Sequence, residues 1–146
     1  MTTAVFDKAL ELIAWSNTAV TATASSTGVQ LYPRALPTCD WVIHVTAIDA
    51  TSADETYVFT LEVSDVVGGT YTPIATWNWP RGHGVGKAWI PINALEAEWL
   101  DNDCMFMRVT ATLGGTTPSI KYGSYLAKSS NRPGYARKPG DIVTVA

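Results

Sequence analysis

Charged residues are scarce in this chain. They make up 16% of its 146 residues, against about 25% in an average globular domain. Few charged residues mean that less of the surface is strongly solvated. Part of the less charged surface can instead contact another protein. The net charge of −3 argues against a chain built mainly to hold nucleic acid. No apolar run approaches the roughly 20 residues that a membrane crossing needs, so we expect neither nucleic acid nor a membrane among its partners.

Histidine and cysteine are also rare, with two of each. Neither His44 nor His83 has a cysteine or an acid at metal-site spacing, and His44 is expected to be a hydrogen-bonded structural residue within a strand. No Gly-x-Ser-x-Gly nucleophile occurs, although a Ser-His-Asp triad can assemble from distant residues. We expect no metal, no cofactor, no catalytic residues and no enzyme activity.

Residues 1–11 lack an export signal's apolar core, which favours free buried thiols at Cys39 and Cys104 over a disulfide.

Two loop types suggest ligand sites at first sight. Residues 82–87 read GHGVGK, but three residues separate Gly82 from Gly86 and alanine follows the lysine. A phosphate-binding loop needs four intervening residues and then serine or threonine after the lysine, so we interpret the run as a β-connection. The acidic segments 49–55 and 101–103 do not match a calcium loop. Side-chain bonds to the turn backbone explain them more simply.

Strand patterns dominate the chain from residue 18 onward. Residues 56–63 place Tyr57 and Phe59 on one apolar face and threonine and glutamate mainly on the other, which is typical of a half-buried strand. Turn residues recur at a spacing of about 8–12 residues, which predicts an all-β antiparallel sandwich of about eight strands. The strands are predicted at residues 18–24, 41–48, 56–63, 71–79, 87–92, 105–113, 120–126 and 142–145.

Short helical segments and two ends complete the predicted organisation. One helix is predicted at residues 7–15 and another at residues 93–100, where Asn93 is a candidate N-cap with Glu96 three residues later. The chain is divided into an N-terminal arm (1–16), a β-sandwich domain (17–126) and a C-terminal extension that can add a last strand (127–146).

Six tryptophans are many for this length. Trp77 and Trp79 fall on the same face of one predicted strand. They are either part of the core or an exposed platform that stacks on sugar rings or anchors a protein. We expect most of the tryptophans in the core and single out Trp15, which lies in the arm.

The charge is unevenly distributed along the chain. From Lys121 to the end, five basic residues stand against one acidic residue, so this segment carries +4 and the remainder of the chain −7. Such a tail either contacts something acidic or serves as a solvated extension.

Four short segments within residues 12–126 share the pattern of a known group of proteins. They are residues 16–27 (SNTAVTATASST), 51–56 (TSADET), 63–65 (VSD) and 114–120 (GGTTPSI). These segments resemble the jelly-roll capsid cement proteins of tailed bacteriophages, which are also called head decoration proteins. The resemblance does not cover the first eleven residues or the tail after Leu126.

The resemblance implies a jelly-roll β-sandwich that docks on the outer surface of an assembled phage head and clamps neighbouring subunits of the major capsid protein. It also implies a non-enzymatic homo-oligomer, either a dimer or a trimer, made in the host cytoplasm and incorporated into the virion. A ligand that binds only the assembled shell stabilises it by mass action. Oligomerisation on a repeating lattice adds avidity.

Three regions are then predicted to make contacts: the arm, the basic tail and, third, the loop at residues 81–86. The candidate contact residues are Phe6, Leu12, Trp15, Arg81, His83, Arg132, Tyr135, Arg137 and Lys138. The alternative function is a carbohydrate-binding or receptor-binding β-sandwich module, in which Trp77 and Trp79 form the exposed platform.

Overall fold

Ten strands make up the regular secondary structure of the described residues. The computed structural model describes residues 10–30, 38–80, 83–93, 106–128 and 142–143. The strands are β1 (Glu11–Ile13), β2 (Ala24–Ser25), β3 (Val29–Gln30), β4 (Thr38–Ile48), β5 (Thr56–Ser64), β6 (Thr72–Asn78), β7 (Gly86–Asn93), β8 (Phe106–Gly114), β9 (Ile120–Lys128) and β10 (Ile142–Val143). No helix in this part of the chain has the length and apolar character that a membrane crossing requires.

The strands form two antiparallel sheets. The first sheet has the order β1-β9-β4-β7-β10, and the second has the order β2-β8-β5-β6, with β3 also pairing with β8. Strands that follow one another in the chain alternate between the sheets, except at β2–β3, β5–β6 and β9–β10. The predicted all-β antiparallel sandwich is confirmed, and its connectivity is that of a jelly roll.

The core between the sheets follows the period-two pattern of the strands. The inward side chains of β5 are all buried: Tyr57, Phe59, Leu61 and Val63. The ring of Phe59 meets the ring of Tyr122 on β9 edge-on, with the ring centroids 4.8 Å apart. Edge-to-face aromatic pairs add to the stability that burial alone provides. This contact therefore ties the second sheet to the first.

Part of β4, the strand between β9 and β7 in the first sheet, is buried on both faces. Trp41 and Ile43 point into the core between the sheets. Val42, on the opposite face, is 0% exposed. A strand with one solvated face would show polar residues at alternate positions, whereas a strand covered on both faces reads as a continuous apolar run. The first sheet therefore has apolar contacts on its outer side as well.

The predicted helix at residues 7–15 is wrong for its described part. Residues 11–13 form β1, which pairs with β9 in an antiparallel ladder. The burial of this strand alternates, and Leu12 enters the core. Pairing with β9 overrides the weak helical periodicity, because a free sheet edge supplies hydrogen bonds to an extended segment. The second predicted helix, residues 93–100, lies outside the described residues beyond Asn93, the last residue of β7.

The single strand predicted at residues 18–24 is also wrong. Val20 makes one backbone bridge to Ile120, which belongs to β9 of the first sheet. Ala24 then pairs with Ala111 on β8 of the second sheet. The segment crosses from one sheet to the other, so it cannot form one continuous ladder despite its alternating threonines.

The expectation of a free buried thiol is confirmed for Cys39. It is a free thiol, buried in the core. Burial, and then the neighbouring carboxylate of Asp40, raise the pKa of Cys39 to about 12. A thiol this hard to ionise is a poor nucleophile, so Cys39 acts as an apolar core side chain. Cys104 lies outside the described residues.

Candidate functional site

The outer face of the first sheet carries a second apolar cluster. Its members are at most 7% exposed and lie on neighbouring strands: Val42 on β4, Trp89 on β7, and Tyr125 and Ala127 on β9. The register places Val42 opposite both Trp89 and Tyr125. Directly opposed side chains are the pairs that stabilise a sheet face, so one continuous layer spans the three strands.

Trp15 lies on this outer face, beside the second cluster. The centroid of its ring is 5.6 Å from that of Tyr125, and the indole covers Gly123, where an added Cβ would lie 2.8 Å from three ring atoms. Trp15 Nε1–H donates a hydrogen bond to Nδ1 of His44 at 3.0 Å. The indole is thus positioned by three neighbours while Trp15 remains 40% exposed. We call Trp15, His44, Gly123 and Tyr125 the Trp15 patch.

His44 has the hydrogen-bonded structural role that its strand position predicted. Its ring meets the Trp15 ring edge-on, with centroids 5.7 Å apart. The ladder between β4 and β7 places Lys87 directly opposite His44. Partial burial, and then the charge of Lys87, hold the pKa of His44 below its usual value of 6.5. The neutral imidazole therefore predominates at neutral pH, with Nδ1 available to accept the indole N–H.

The turn between β5 and β6 exposes two adjacent valines. Val66 is 54% and Val67 is 48% exposed. Ser64 Oγ accepts from the Val66 N–H at 3.2 Å and donates to the Val66 carbonyl at 2.9 Å. The Val66 carbonyl also accepts from Gly69 N–H at 3.0 Å, and the Tyr71 hydroxyl donates to the Val67 carbonyl at 2.8 Å. The turn is held by its own hydrogen bonds while its apolar side chains face outward.

This arrangement suits an anchor for a partner protein. Both backbone groups of Val66 and the carbonyl of Val67 already have partners inside the chain, so covering these valines leaves few of their polar atoms unpaired. The turn is also ordered before binding, which lowers the entropic cost of association. Val66 and Val67 were not among the predicted contact residues, because they lie between the strands predicted at residues 56–63 and 71–79. The available signal was an apolar pair inside a turn, where no sheet face exists to bury it.

The outer face of the second sheet is polar and bonded internally. Glu62 on β5 accepts hydrogen bonds from Arg108 Nε at 2.6 Å and Thr110 Oγ1 at 2.9 Å, both on β8. Because the Thr110 hydroxyl donates to Glu62, it accepts from Ser25 Oγ on β2, 2.7 Å away. The Arg108 guanidinium lies 4.0 Å from the Tyr71 ring centroid, a cation–π distance. This face is hydrophilic, in contrast to the exposed valines of the β5–β6 turn.

Acidic side chains organise the turns at one end of the sandwich. In the β4–β5 turn, Asp49 Oδ1 accepts from the backbone N–H and the hydroxyl of Thr51, at 2.9 and 2.6 Å. The Asp54 carboxylate accepts from the backbone N–H and the hydroxyl of Thr116 in the β8–β9 turn, at 3.2 and 2.6 Å. These are the side-chain turn bonds that were predicted for the first acidic segment. The second, residues 101–103, lies outside the described residues. Within the described ranges no group of three or more His, Cys, Asp or Glu side chains could hold a metal ion.

Tyr57 joins these two turns through its hydroxyl. The phenol oxygen accepts from the Ser119 N–H at 2.9 Å and donates to the Asp49 carbonyl. Burial raises the pKa of Tyr57 above its ordinary value of 10, so the phenol keeps its proton at neutral pH and can donate. One side chain thus holds the ends of the β4–β5 and β8–β9 turns together.

We expect Tyr57→Phe to lower the free energy of unfolding by about 1–3 kcal/mol, because the Ser119 N–H and the Asp49 carbonyl each lose a partner. Urea unfolding followed by tryptophan fluorescence measures this loss, with an unchanged denaturant slope. Tyr71→Phe is the matched control, because water can replace a hydroxyl at the exposed β5–β6 turn, and it should cost at most about 0.5 kcal/mol. Equal losses in the two variants would contradict the role assigned to Tyr57.

Trp77 and Trp79 do not form an exposed platform. Trp79 is 4% exposed, and its ring lies edge-on to Phe59 with centroids 6.4 Å apart. Trp77 packs against the same core, and its Nε1 is buried. Trp41 also lies in the core between the sheets, and Trp89 is buried in the second cluster on the outer face of the first sheet. Trp15 is the one large exposed tryptophan in the described part of the chain, and Trp99 lies outside it.

The three predicted contact residues in the described part of the chain do not share one surface. Leu12 is 3% exposed and packs in the core of its own chain. Trp15 lies on the outer face of the first sheet. His83 is exposed in the β6–β7 turn, where its backbone N–H donates to the Pro80 carbonyl at 3.2 Å. The other predicted contact residues lie outside the described residues: Phe6, Arg81, Arg132, Tyr135, Arg137 and Lys138.

Comparison of the chain with models of protein families, with curated proteins and with solved structures finds no match in any of the three. A sandwich fold by itself hosts many unrelated activities.

Proposed function

We propose that this chain is a structural cement protein that binds the outer surface of an assembled tailed-phage head and stabilises the contacts between major capsid protein subunits. Its partners in this proposal are the major capsid protein and further copies of itself, as a dimer or a trimer. Neither nucleic acid nor a membrane is a partner, and no cofactor or catalysis is involved. The protein is made in the host cytoplasm and resides on the exterior of the virion.

One observation carries the proposal: segments that resemble the cement proteins lie against one another in the folded chain. Val20, in residues 16–27, bridges to Ile120, at the end of residues 114–120. Asp54, in residues 51–56, is hydrogen-bonded to Thr116 in that same segment. Segments that are far apart in sequence thus pack together at one end of the sandwich. This is expected if the segments that resemble the cement proteins belong to one structural unit.

The surfaces of the sandwich are compatible with this role. Two packed sheets provide a rigid body, and the β5–β6 turn presents Val66 and Val67 on a preformed support. A ligand that binds only the assembled shell contributes about 2.7 kcal/mol per site at a concentration of 100 times Kd. Repetition over the lattice multiplies this contribution, and oligomers add avidity. A small protein with modest individual contacts can therefore stabilise a large shell.

The purified full chain is expected to bind expanded heads of the phage that encodes it and to raise their melting temperature. Co-sedimentation measures the binding, and scanning calorimetry of the heads measures the stabilisation. Unexpanded precursor shells are the control, because they lack the mature arrangement of subunits. The proposal fails if saturating protein neither co-sediments with expanded heads nor shifts their melting.

A variant at the β5–β6 turn tests which surface makes the contact in the same assay. V66D/V67D is expected to weaken binding at least about tenfold, a loss of about 1.4 kcal/mol, because it places charges in an apolar contact. T76D/T112D adds the same charge on the exposed outer face of the second sheet and should bind as the unmodified chain does. Glycan-dependent quenching of tryptophan fluorescence, without binding to heads, would instead favour the carbohydrate-binding alternative.

A further inference from the structure

β1 is a short edge strand, and side chains in and next to it pack on both faces of the first sheet. Among the described residues this three-residue strand pairs with β9 alone, through two residue pairs with an irregular register. On the inner face, Leu12 enters the core between the sheets. On the outer face, Trp15 lies across Gly123 of β9. Because so short a ladder contributes few hydrogen bonds, Leu12 and Trp15 contribute much of the free energy that holds β1 on the sheet.

The outer contact depends on the protonation state of His44. The indole Nε1–H of Trp15 can only donate a hydrogen bond, so Nδ1 of His44, 3.0 Å away, must accept it. In the neutral imidazole the proton then resides on Nε2. In the imidazolium both ring nitrogens carry protons and neither can accept. Protonation of His44 would therefore set two N–H groups against each other and break the bond.

Burial and the charge of Lys87 oppose the protonation of His44. Lys87 stands directly opposite His44 in the ladder between β4 and β7. Burial, and then Lys87, lower the pKa of His44 below 6.5. The titratable groups on this outer face, among the described residues, are Glu11 on β1, Asp40 on β4, Lys87 on β7, and Lys121 and Tyr125 on β9.

We propose that Trp15 and His44 form a pH-sensitive clasp that holds β1 on the edge of the first sheet at neutral pH and opens when His44 is protonated. Opening releases the indole from the Trp15 patch and leaves β1 attached by its short ladder and by Leu12. The clasp is a property of the free protein and does not depend on the proposed capsid function.

The direction of the pH dependence follows from proton linkage. A lowered pKa in the folded state means that the unfolded chain binds more protons at acidic pH, so stability rises with pH in that window. The contribution of the clasp is fully present above the ordinary histidine pKa of 6.5 and is lost as the pH falls through the lower pKa of folded His44. Below that pKa the contribution of His44 no longer changes.

An NMR titration of the isotope-labelled full chain, from about pH 8 to about pH 5, covers the range in which histidines titrate. The indole N–H resonance of Trp15, assigned with Trp15→Phe, is expected to shift with a midpoint below 6.5. The backbone amides of Leu12 and Ile13 should shift with the same midpoint, because β1 loosens with the clasp. Lys87→Gln should raise the midpoint, because it removes a positive charge opposite His44.

His44→Gln supplies the decisive comparison, because a glutamine carbonyl can accept the indole hydrogen bond without titrating. In this variant the Trp15 indole resonance should stay constant over the whole range. A resonance that does not move in the unmodified chain, or that titrates equally in His44→Gln, overturns the proposal. If His44→Gln does not fold, Trp15→Phe decides: the His44 ring should titrate at higher pH once its neutral form loses the donor, and an unchanged midpoint overturns the clasp.

Discussion

Replacement of Trp41 with alanine is expected to lower the free energy of unfolding by about 3–5 kcal/mol. That is a large part of the roughly 5–15 kcal/mol that stabilises a typical domain. Trp41 is 0% exposed and lies on the central strand β4, opposite Ile90 of β7 and Leu126 of β9. Because both neighbouring strands are fixed by their ladders, the surrounding structure cannot collapse into the space that the indole leaves. Urea unfolding measures the loss.

A buried hydrogen-bond relay makes this prediction more specific. Trp41 Nε1–H donates to Ser124 Oγ at 2.8 Å, and the Ser124 hydroxyl donates to the Val42 carbonyl at 2.8 Å. Ser124→Ala alone leaves the indole N–H without an acceptor, at a cost of about 1–3 kcal/mol. Trp41→Phe removes that donor and keeps most of the ring volume.

The double variant W41F/S124A is expected to cost less than the sum of the two single variants. Once phenylalanine replaces Trp41, removing the Ser124 hydroxyl no longer leaves an indole donor unpaired. Residues in one hydrogen-bond network typically couple by about 0.5–3 kcal/mol. Strictly additive losses would show that the relay contributes nothing beyond packing.

Gly115→Ala is expected to destabilise the fold by at least about 3 kcal/mol. Gly115 has φ +101, a backbone conformation in which a residue with a side chain is strained by up to about 3 kcal/mol. An added Cβ would also lie 2.7 Å from both the Asp54 carbonyl oxygen and Glu55 Cα, and 2.8 Å from Glu55 N. These are backbone atoms, so the methyl group would push apart the two turns that Tyr57 holds together. Thermal and urea unfolding of the variant measure the loss.

Two other glycines separate the causes of this loss. Gly84 has φ +65 with nothing near its Cβ position, so Gly84→Ala should cost only the backbone term of about 1–2 kcal/mol. Gly68 has open space and no left-handed φ, so Gly68→Ala should change stability by at most about 0.5 kcal/mol. If Gly115→Ala were no worse than Gly84→Ala, the close approach of the two turns would carry no energetic weight.

Strands with strong alternation were predictable because their signal is local. The apolar face of β5 follows directly from the period of two between Tyr57, Phe59, Leu61 and Val63. The weaker patterns gave wrong predictions of secondary structure. Residues 7–15 have helical spacing but include β1, and residues 18–24 alternate as a strand does but cross between sheets. In both cases the available partner strands decided the conformation, and partners far along the chain leave no local pattern.

The Trp15 patch was predictable only in part. Trp15 was singled out because it lies in the predicted arm, and His44 was expected to be a hydrogen-bonded residue within a strand. Nothing in the sequence joins them, since their contact is made over β9, with Gly123 and Tyr125 supplied by the register. Likewise, whether Trp77 and Trp79 face solvent depends on which side of the second sheet meets the first.

The sequence by itself determined the fold class, the main strands and the burial of their alternate residues, because side-chain periodicity and turn chemistry act over a few neighbouring residues. Only the tertiary structure decided which distant residues contact one another and which side chains remain exposed to solvent. Strand order placed Gly123 under Trp15 and Lys87 opposite His44. The bonded β5–β6 turn left Val66 and Val67 exposed. Both outcomes depend on pairings between distant segments, whose free energy arises only when the sheets assemble.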